Sequence, residues 1–298
     1  MKKIDNYSDW LEYEGASEGS GRSEKIWLKE PGTNIVGLFK YPKSDTSKDH
    51  ISELLAADIG QSICVDCAKT EIGYYKNSIG ALSYQISGNE KNLIEGVNLI
   101  TAKYPTFNPD TLCCSDTGEY YSLEMVIPLI EEYELLFPFL KMLFFDFLIG
   151  NSDRHQSNWA LLSQNNQFSY CPLYDNGSSL CCRIDETLIQ NYLGKDQLRF
   201  NSLINSKSRS RIRIDKTMKK EPTHLQVIEF LLSNYLSPEL KIWVNDLPEK
   251  LDDLRRKGIL DDYQSDLLSD NRKALIDSFL KGSKLELLNR LLKKGGSY

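Results

Sequence analysis

The most restrictive feature of this chain is the segment ELLFPFLKMLFFDFLI, residues 134–149, which is apolar nearly all round a helix. A helix without a polar face has to lie inside the protein, so this segment predicts the middle of a lobe. The chain has 298 residues, of which 41% are hydrophobic and 26% are charged. These values are typical of a globular protein with a large core. We expect two packed lobes.

A polar, charged loop, GNSDRHQSN, follows this helix from Gly150 to Asn158. Two β-type runs come next, NWALL and QFSYCPLYD, and the polar turn SQNN between them predicts a hairpin. The spacing of Asp153 and Asn158 is that of the protein-kinase catalytic loop, in which the aspartate accepts the proton of the substrate hydroxyl and the asparagine ligates magnesium. Asp153 is therefore our candidate base, and Asn158 is a candidate metal ligand.

A D-x-G triplet opens at Asp175, in LYDNGSSL, where the predicted hairpin ends. Protein kinases carry at this place the aspartate that binds phosphate-bridging magnesium, so Asp175 is a second candidate metal ligand. One carboxylate and one amide oxygen are enough protein ligands for Mg²⁺, because the ion keeps several waters and also binds the substrate phosphates. Each residue alone is also compatible with a simple turn. The order of buried helix, D-x-x-x-x-N, hairpin and D-x-G favours the catalytic interpretation.

The first 110 or so residues alternate short β-like runs with polar turns, which is typical of a small sheet with one helix. Lys40 stands in the hydrophobic run NIVGLFKY, where a cation needs an anionic partner, and ATP phosphates would supply one. The helical pattern of KDHISELLAADIGQSI then places Glu53 where a kinase glutamate pairs with the lysine. The alternative for Lys40 is a surface lysine with its amine in solvent.

The glycine-rich segment GASEGSG, residues 15–21, predicts a loop over the phosphates, since Gly19 and Gly21 would let backbone N–H groups approach them. It matches neither G-x-G-x-x-G nor the P-loop pattern, so a flexible Ser/Gly loop is the alternative. We hypothesise self-phosphorylation on the serines of this region, which are Ser17, Ser20 and Ser23.

The strings FLIGNSDRHQSNWALL and CPLYDNGSSL resemble the HipA-like serine/threonine kinases, especially the short CtkA and HipT types, over roughly residues 143–181. Looser similarity surrounds GLFKYP and SELLAADIG. The resemblance implies an α+β, two-lobed protein-kinase-like fold. Its small β-rich N-lobe would span residues 1–110 and its helical C-lobe residues 111–298.

For the site, the resemblance implies Asp153 as the base, Asn158 and Asp175 on Mg²⁺, and Lys40 on the phosphates of ATP. We also assign His155, in the same loop, to cofactor binding. The implied acceptor is a protein serine or threonine, with a translation component such as an aminoacyl-tRNA synthetase as one candidate. An antitoxin or a companion small subunit is a candidate partner, because many members are toxins and Lys40 comes too early for the extra N-terminal subdomain of full-length HipA proteins.

Charge and composition restrict the other functions. The net charge of −6 argues against general polyanion binding, so we expect no direct nucleic-acid binding. No run of 18 apolar residues or signal-like N-terminus is present, so we expect a cytoplasmic protein without a membrane partner. Cys64 and Cys67, in CVDC, are expected to be buried apolar side chains rather than metal ligands. The basic segment, residues 206–220, fits either a docking surface or a solvated loop.

Three alternative functions stay open at this point. A kinase of small molecules or lipid head groups would use the same residues, since fold does not determine the substrate. A pseudokinase-like binding module would not need to retain the base and both metal ligands. A metallohydrolase built on Asp153, His155 and Asp175 would need further ligands.

Overall fold

The structure is a computed structural model that describes residues 1–14, 24–88, 91–194 and 197–295. Most strands lie in the first part of the chain, and the part after residue 184 is helical, so the architecture is mixed α+β. No described helix has the length and hydrophobicity needed to cross a membrane. The division into lobes at residue 110 stays a prediction.

A six-stranded sheet forms the N-terminal part, in the order β1-β5-β6-β4-β3-β2. Its strands are β1 (Ile4–Asn6), β2 (Leu11–Glu12), β3 (Lys25–Lys29), β4 (Val36–Lys40), β5 (Thr70–Tyr75) and β6 (Ser78–Tyr84). The pairs are antiparallel except β1 with β5, which is parallel. One helix, α1 (Asp49–Ser62), packs against β5 and β6. Four strands coincide with the predicted β runs, whereas the short β1 and β2 were not predicted.

A second, three-stranded antiparallel sheet contains the predicted hairpin. Its strands are β7 (Asn92–Glu95), β10 (Ala160–Gln164) and β11 (Gln167–Tyr170), with β10 in the middle. The hairpin turn is Asn165-Asn166, both with positive φ, as a two-residue hairpin loop requires. Because β7 pairs with β10, the hairpin is attached to an earlier part of the chain. The remaining strands, β8 (Phe107–Asn108) and β9 (Cys113–Cys114), pair with each other.

The remaining helices include one long buried helix, α4. They are α2 (Gly96–Lys103), α3 (Leu123–Glu131), α4 (Leu136–Ile149), α5 (Ile189–Leu193), α6 (Gln197–Ile204), α7 (His224–Asn234), α8 (Pro238–Lys250), α9 (Asp253–Asp261), α10 (Asp270–Phe279) and α11 (Glu286–Gly295). A short 3₁₀ turn (Glu186–Leu188) and a π-helical turn (Leu280–Leu285) complete this part. From Phe139 to Ile149 every residue of α4 except Lys141 is buried, so its predicted central position is confirmed.

Gly150 ends α4 and starts the charged loop. Its φ is +66°, a left-handed conformation that other residues adopt only with strain. A Cβ at this position would lie 2.7 Å from Cζ of Phe279, so the close packing of α10 also requires glycine. Helix α4 therefore stops at one defined residue, and the loop begins at a fixed place on the core.

The cysteines of CVDC differ from their predicted environment. Cys64 is exposed and Cys67 is half-buried, so the prediction of buried side chains is wrong for Cys64. The reason is its position after the end of α1, where it has a φ of +59°. Within the described ranges, no group of three or more His, Cys, Asp or Glu side chains could hold a metal ion.

Candidate active site

A buried arginine, Arg154, lies at the centre of the predicted catalytic loop. Its side chain is 2% exposed, and it makes a two-pronged ion pair with Asp146 of α4, whose side chain is 3% exposed. The two hydrogen bonds, from Nε and Nη2 to the two carboxylate oxygens, are both 2.9 Å. The pair fixes the loop to α4, because a guanidinium that binds a carboxylate at two points has only one favourable orientation.

The same guanidinium joins the loop to the D-x-G turn. Nη1 donates to the backbone oxygens of Asn158, at 2.6 Å, and Tyr174, at 2.8 Å. Nη2 donates to Oδ1 of Asn176 at 2.6 Å. The Arg154 side chain therefore holds Asn158, the predicted metal ligand of the loop, beside the two residues that flank Asp175.

The loop itself sets the orientation of its two predicted functional residues. The backbone N–H of Asp153 donates a hydrogen bond to Oδ1 of Asn151 at 3.1 Å, which helps to position the Asp153 backbone. The amide Nδ2 of Asn158 donates to the backbone oxygen of Asp153 at 2.8 Å. Since Nδ2 is engaged in this way, Oδ1 is the Asn158 atom that could meet a cation. The Asp153 side chain is 27% exposed, which leaves it accessible to an acceptor.

Lys40, at the end of β4, forms an ion pair with Asp175, with 3.0 Å between Nζ and Oδ1. Burial alone would lower the pKa of Lys40, but the charges of Asp175 and Glu53 outweigh it and raise this pKa. The positive charge of Lys40 holds the pKa of Asp175 well below its ordinary value. The lysine predicted for ATP phosphates and the carboxylate predicted for Mg²⁺ therefore face each other, and both are charged.

Glu53 lies on α1, as predicted, and is 4% exposed. Among the described residues it forms no ion pair with Lys40; it accepts a hydrogen bond from the backbone N–H of Asn176 instead. Burial raises the pKa of Glu53, although the charge of Lys40 opposes this rise. Glu53 therefore contacts the D-x-G turn directly, whereas it interacts with Lys40 only electrostatically, without a hydrogen bond.

Gly177, the glycine of D-x-G, packs against the start of α1. A Cβ on it would lie 2.8 Å from the backbone oxygen of Asp49 and 3.3 Å from Oε2 of Glu53. Asp175 itself has a φ of +56°, an uncommon conformation for a residue with a side chain. A strained backbone held by tight contacts on each side is common at functional sites.

His155 is half-buried in the same loop. Its Nδ1 accepts the backbone N–H of Ser157 at 3.2 Å. Burial lowers the pKa of His155, although the carboxylates of Asp153 and Asp175 oppose this shift. Its assignment to cofactor binding stays a prediction. The glycine-rich segment with Gly19 and Gly21, and the serines near it, lie outside the described residues.

The Arg154–Asp146 pair was not predicted from the sequence. A signal existed, because Asp146 is the one acidic residue in a buried, apolar stretch of helix and needs a buried cation. Arg211, whose Nε lies 3.7 Å from Oδ1 of Asp153, was not predicted to lie at the site either. Arg211 belongs to the basic segment, residues 206–220, for which docking and a solvated loop were left open.

The chain is similar to one curated kinase over part of its length. The serine/threonine-protein kinase CtkA of Helicobacter pylori is 26% identical over 175 residues, which cover 54% of this chain and 51% of that protein. The match thus spans about half the length of this relative. No protein-family model matches the chain.

Two solved structures share the fold. The Helicobacter pylori proinflammatory kinase CtkA superimposes with a TM-score of 0.78 at 20% identity, over 99% of both chains. HipA of Shewanella oneidensis MR-1, solved with HipB and operator DNA, gives a TM-score of 0.54 at 12% identity, over 94% of this chain and 66% of that chain. The fold is that of a two-lobed kinase, as predicted. Within the kinase fold, the chain resembles CtkA and, with a lower TM-score, HipA. The resemblance to HipA-like kinases is therefore confirmed.

Proposed function

We propose that this chain is an ATP- and magnesium-dependent serine/threonine protein kinase of the HipA-like type. The observation that carries the proposal is the Arg154 cluster. It holds Asn158 next to the turn that contains Asp175, and Asp175 in turn is paired with Lys40. A base, two oxygen ligands for magnesium and a lysine for the phosphates are the protein groups that kinases use for phosphoryl transfer.

The residues present fit MgATP. Asn158 Oδ1 and the Asp175 carboxylate are the hard oxygen donors that Mg²⁺ prefers, and Lys40 would bind phosphate oxygens. Bound MgATP would supply the γ-phosphoryl group, with its negative charge partly neutralised by the metal. Asp153 would orient the acceptor hydroxyl and take its proton as the oxygen attacks. Lys40, which is paired with Asp175 in this structure, would then bind the phosphates instead of Asp175.

The acceptor in this proposal is a serine or threonine of a protein, with a translation component as one candidate. A toxin role with a separate antitoxin or companion small subunit is part of the proposal, since the HipA structure similar to this one was solved with HipB. The predicted self-phosphorylation and the predicted cytoplasmic location also belong to it.

Asp153→Asn is the variant that tests the proposal, because it keeps the side-chain shape and removes the base. Purified wild type and variant are incubated with radiolabelled ATP, Mg²⁺ and a cell extract, and labelled proteins are identified by mass spectrometry. We expect label on serine or threonine that falls by a factor of about 10² to 10⁴ in the variant. Asp261→Asn, at an exposed aspartate at the end of α9, is the matched control and should leave the label unchanged.

Two results would contradict the proposal. Equal labelling by wild type and Asp153→Asn would remove Asp153 from the reaction. No labelled protein, in a wild type that still binds nucleotide, would favour a small-molecule kinase or a pseudokinase-like module.

A further inference from the structure

The basic segment, residues 206–220, brings a cation to the proposed catalytic base. Arg211 lies between two carboxylates, with Nη1 2.7 Å from Oε1 of Glu221 and Nε 3.7 Å from Oδ1 of Asp153. Its side chain is 41% exposed. A positively charged group that solvent can reach therefore lies directly beside the atom that would accept the hydroxyl proton.

The backbone around Arg211 is fixed at both sides. On one side, Arg213 N–H donates to the oxygen of Tyr121 at 3.1 Å, and its own oxygen accepts the N–H of Leu123 at 2.8 Å. On the other side, Ser210 N–H donates to the oxygen of Pro222 at 3.0 Å. Ile212, between the two arginines, is fully buried. The segment is thus not a freely solvated loop, and the place of Arg211 is set by the fold.

A second arginine of the segment is buried without full hydrogen bonding. Arg213 is 7% exposed, and its guanidinium stacks on the ring of Tyr120 at 4.6 Å. Its Nε and Nη1 have no hydrogen-bond partner among the described residues. No carboxylate hydrogen-bonds this guanidinium among the described residues, so its positive charge adds to the electrostatic field around Arg211. The charged side chains that act on the Arg213 guanidinium are Arg211, in the same segment, and Glu221, directly after it.

We propose that Arg211, with the added positive charge of Arg213, binds a carboxylate of the acceptor protein next to the phosphorylated hydroxyl. The enzyme would then select serine or threonine flanked by Asp or Glu. This inference rests on the proposed kinase function. It deepens that function by naming the acceptor sequence the site prefers.

The contacts of Arg211 favour a carboxylate over a phosphate. Its short contact, to Glu221, anchors it, and its long contact, to Asp153, is the one that a ligand can replace. An acceptor carboxylate in that position would free Asp153 to take the hydroxyl proton. Glu221 would repel a doubly charged phosphate more strongly than a singly charged carboxylate.

The distance between the two groups limits where the acidic residue stands. A hydroxyl at Asp153 and a carboxylate at Arg211 would lie close to each other, because the two side chains are 3.7 Å apart. An extended peptide advances about 3.3 Å per residue. The acidic residue is therefore expected within about three positions of the phosphorylated one.

The test uses a library of peptides with one central serine or threonine and one Asp, Glu, Lys or Ala at each flanking position. Wild type, Arg211→Ala and Arg211→Glu are compared with Lys220→Ala, which removes an exposed charge of the same segment. We expect wild type and Lys220→Ala to phosphorylate acidic peptides roughly tenfold better, by kcat/KM, than alanine peptides. Arg211→Ala should lose this ratio, and Arg211→Glu should prefer lysine peptides.

Other outcomes are distinguishable. If the wild type phosphorylates peptides without an acidic preference, this inference fails while the kinase function stands. If it labels no peptide but does label a protein in the cell extract, this inference fails and the kinase function stands, and if it labels neither, both fail. An RNA oligonucleotide serves as competitor: if it inhibits the wild type but not Arg211→Ala, and no acidic preference exists, the surface takes nucleic acid and the carboxylate proposal is overturned.

Discussion

Replacement of Arg154 with methionine should separate the stability of the site from its chemistry. The guanidinium makes two hydrogen bonds to Asp146 and one each to Asn158, Tyr174 and Asn176. Methionine fills much of the same space and makes none of these bonds. The buried carboxylate of Asp146 then loses its cation, and three acceptor oxygens lose their donor.

Removal of one partner from a buried ion pair costs about 3–5 kcal/mol, because the other charge stays buried without compensation. A typical domain is stable by only about 5–15 kcal/mol, so Arg154→Met should lose a large part of its free energy of unfolding. In the double variant Arg154→Met/Asp146→Leu no charge is left unpaired. We expect it to recover about half of the loss but none of the proposed kinase activity, because the guanidinium that joins Asn158 to Tyr174 and Asn176 is then absent.

Urea unfolding followed by tryptophan fluorescence measures both variants. Lys76→Met is the control, since the Lys76–Glu12 pair lies on the surface, with side chains 63% and 55% exposed, and its loss should cause no measurable change. A loss below about 1 kcal/mol in Arg154→Met would refute the reasoning. A double variant no more stable than the single one would do the same.

Two further predictions concern the D-x-G turn and the pH dependence of stability. Gly177→Ala would push a methyl group against the Asp49 backbone, so we expect about 1–3 kcal/mol less stability and weaker MgATP binding by calorimetry; unchanged values for both would contradict this packing. Burial lowers the pKa of His50 to about 4 and that of His224 to about 3, against an ordinary 6.5. The unfolded chain therefore binds more protons below about pH 6.5, and stability should fall as the pH drops from there. In urea unfolding, His224→Gln should reduce that slope by up to about 1.4 kcal/mol per pH unit, and a slope equal to that of the wild type would argue against a neutral buried imidazole.

The parts that sequence predicts well are those with a local signal. The runs around β3 to β6, the helical spacing in α1 and the apolar stretch of α4 each contain enough residues to define their own element. The hairpin was predictable because SQNN supplies a two-residue turn. Lys40, Asp153, Asn158 and Asp175 could be chosen as candidates because they stand at fixed places relative to these elements.

The contacts of the site were less predictable, because they join distant parts of the chain. Lys40 pairs with Asp175 rather than Glu53, and Glu53 accepts the backbone N–H of Asn176 instead. The charges around Arg211 alternate with a period of two, at Lys207, Arg209, Arg211 and Arg213, and this alternation fits a solvated loop as well as an anchored segment. Only the backbone bonds to α3 and α7 settle that it is anchored.

The Arg154 cluster has a consequence for how the site comes together during folding. All its partners lie between Asp146 and Asn176, so this half of the site can form as one cooperative unit from a short stretch of chain. Lys40 comes from 135 residues away, and its contact has to wait until the two parts of the protein dock. A chain caught before docking would thus hold the preformed Arg154 cluster without Lys40, and under the proposed function it would be inactive until the Lys40–Asp175 contact forms.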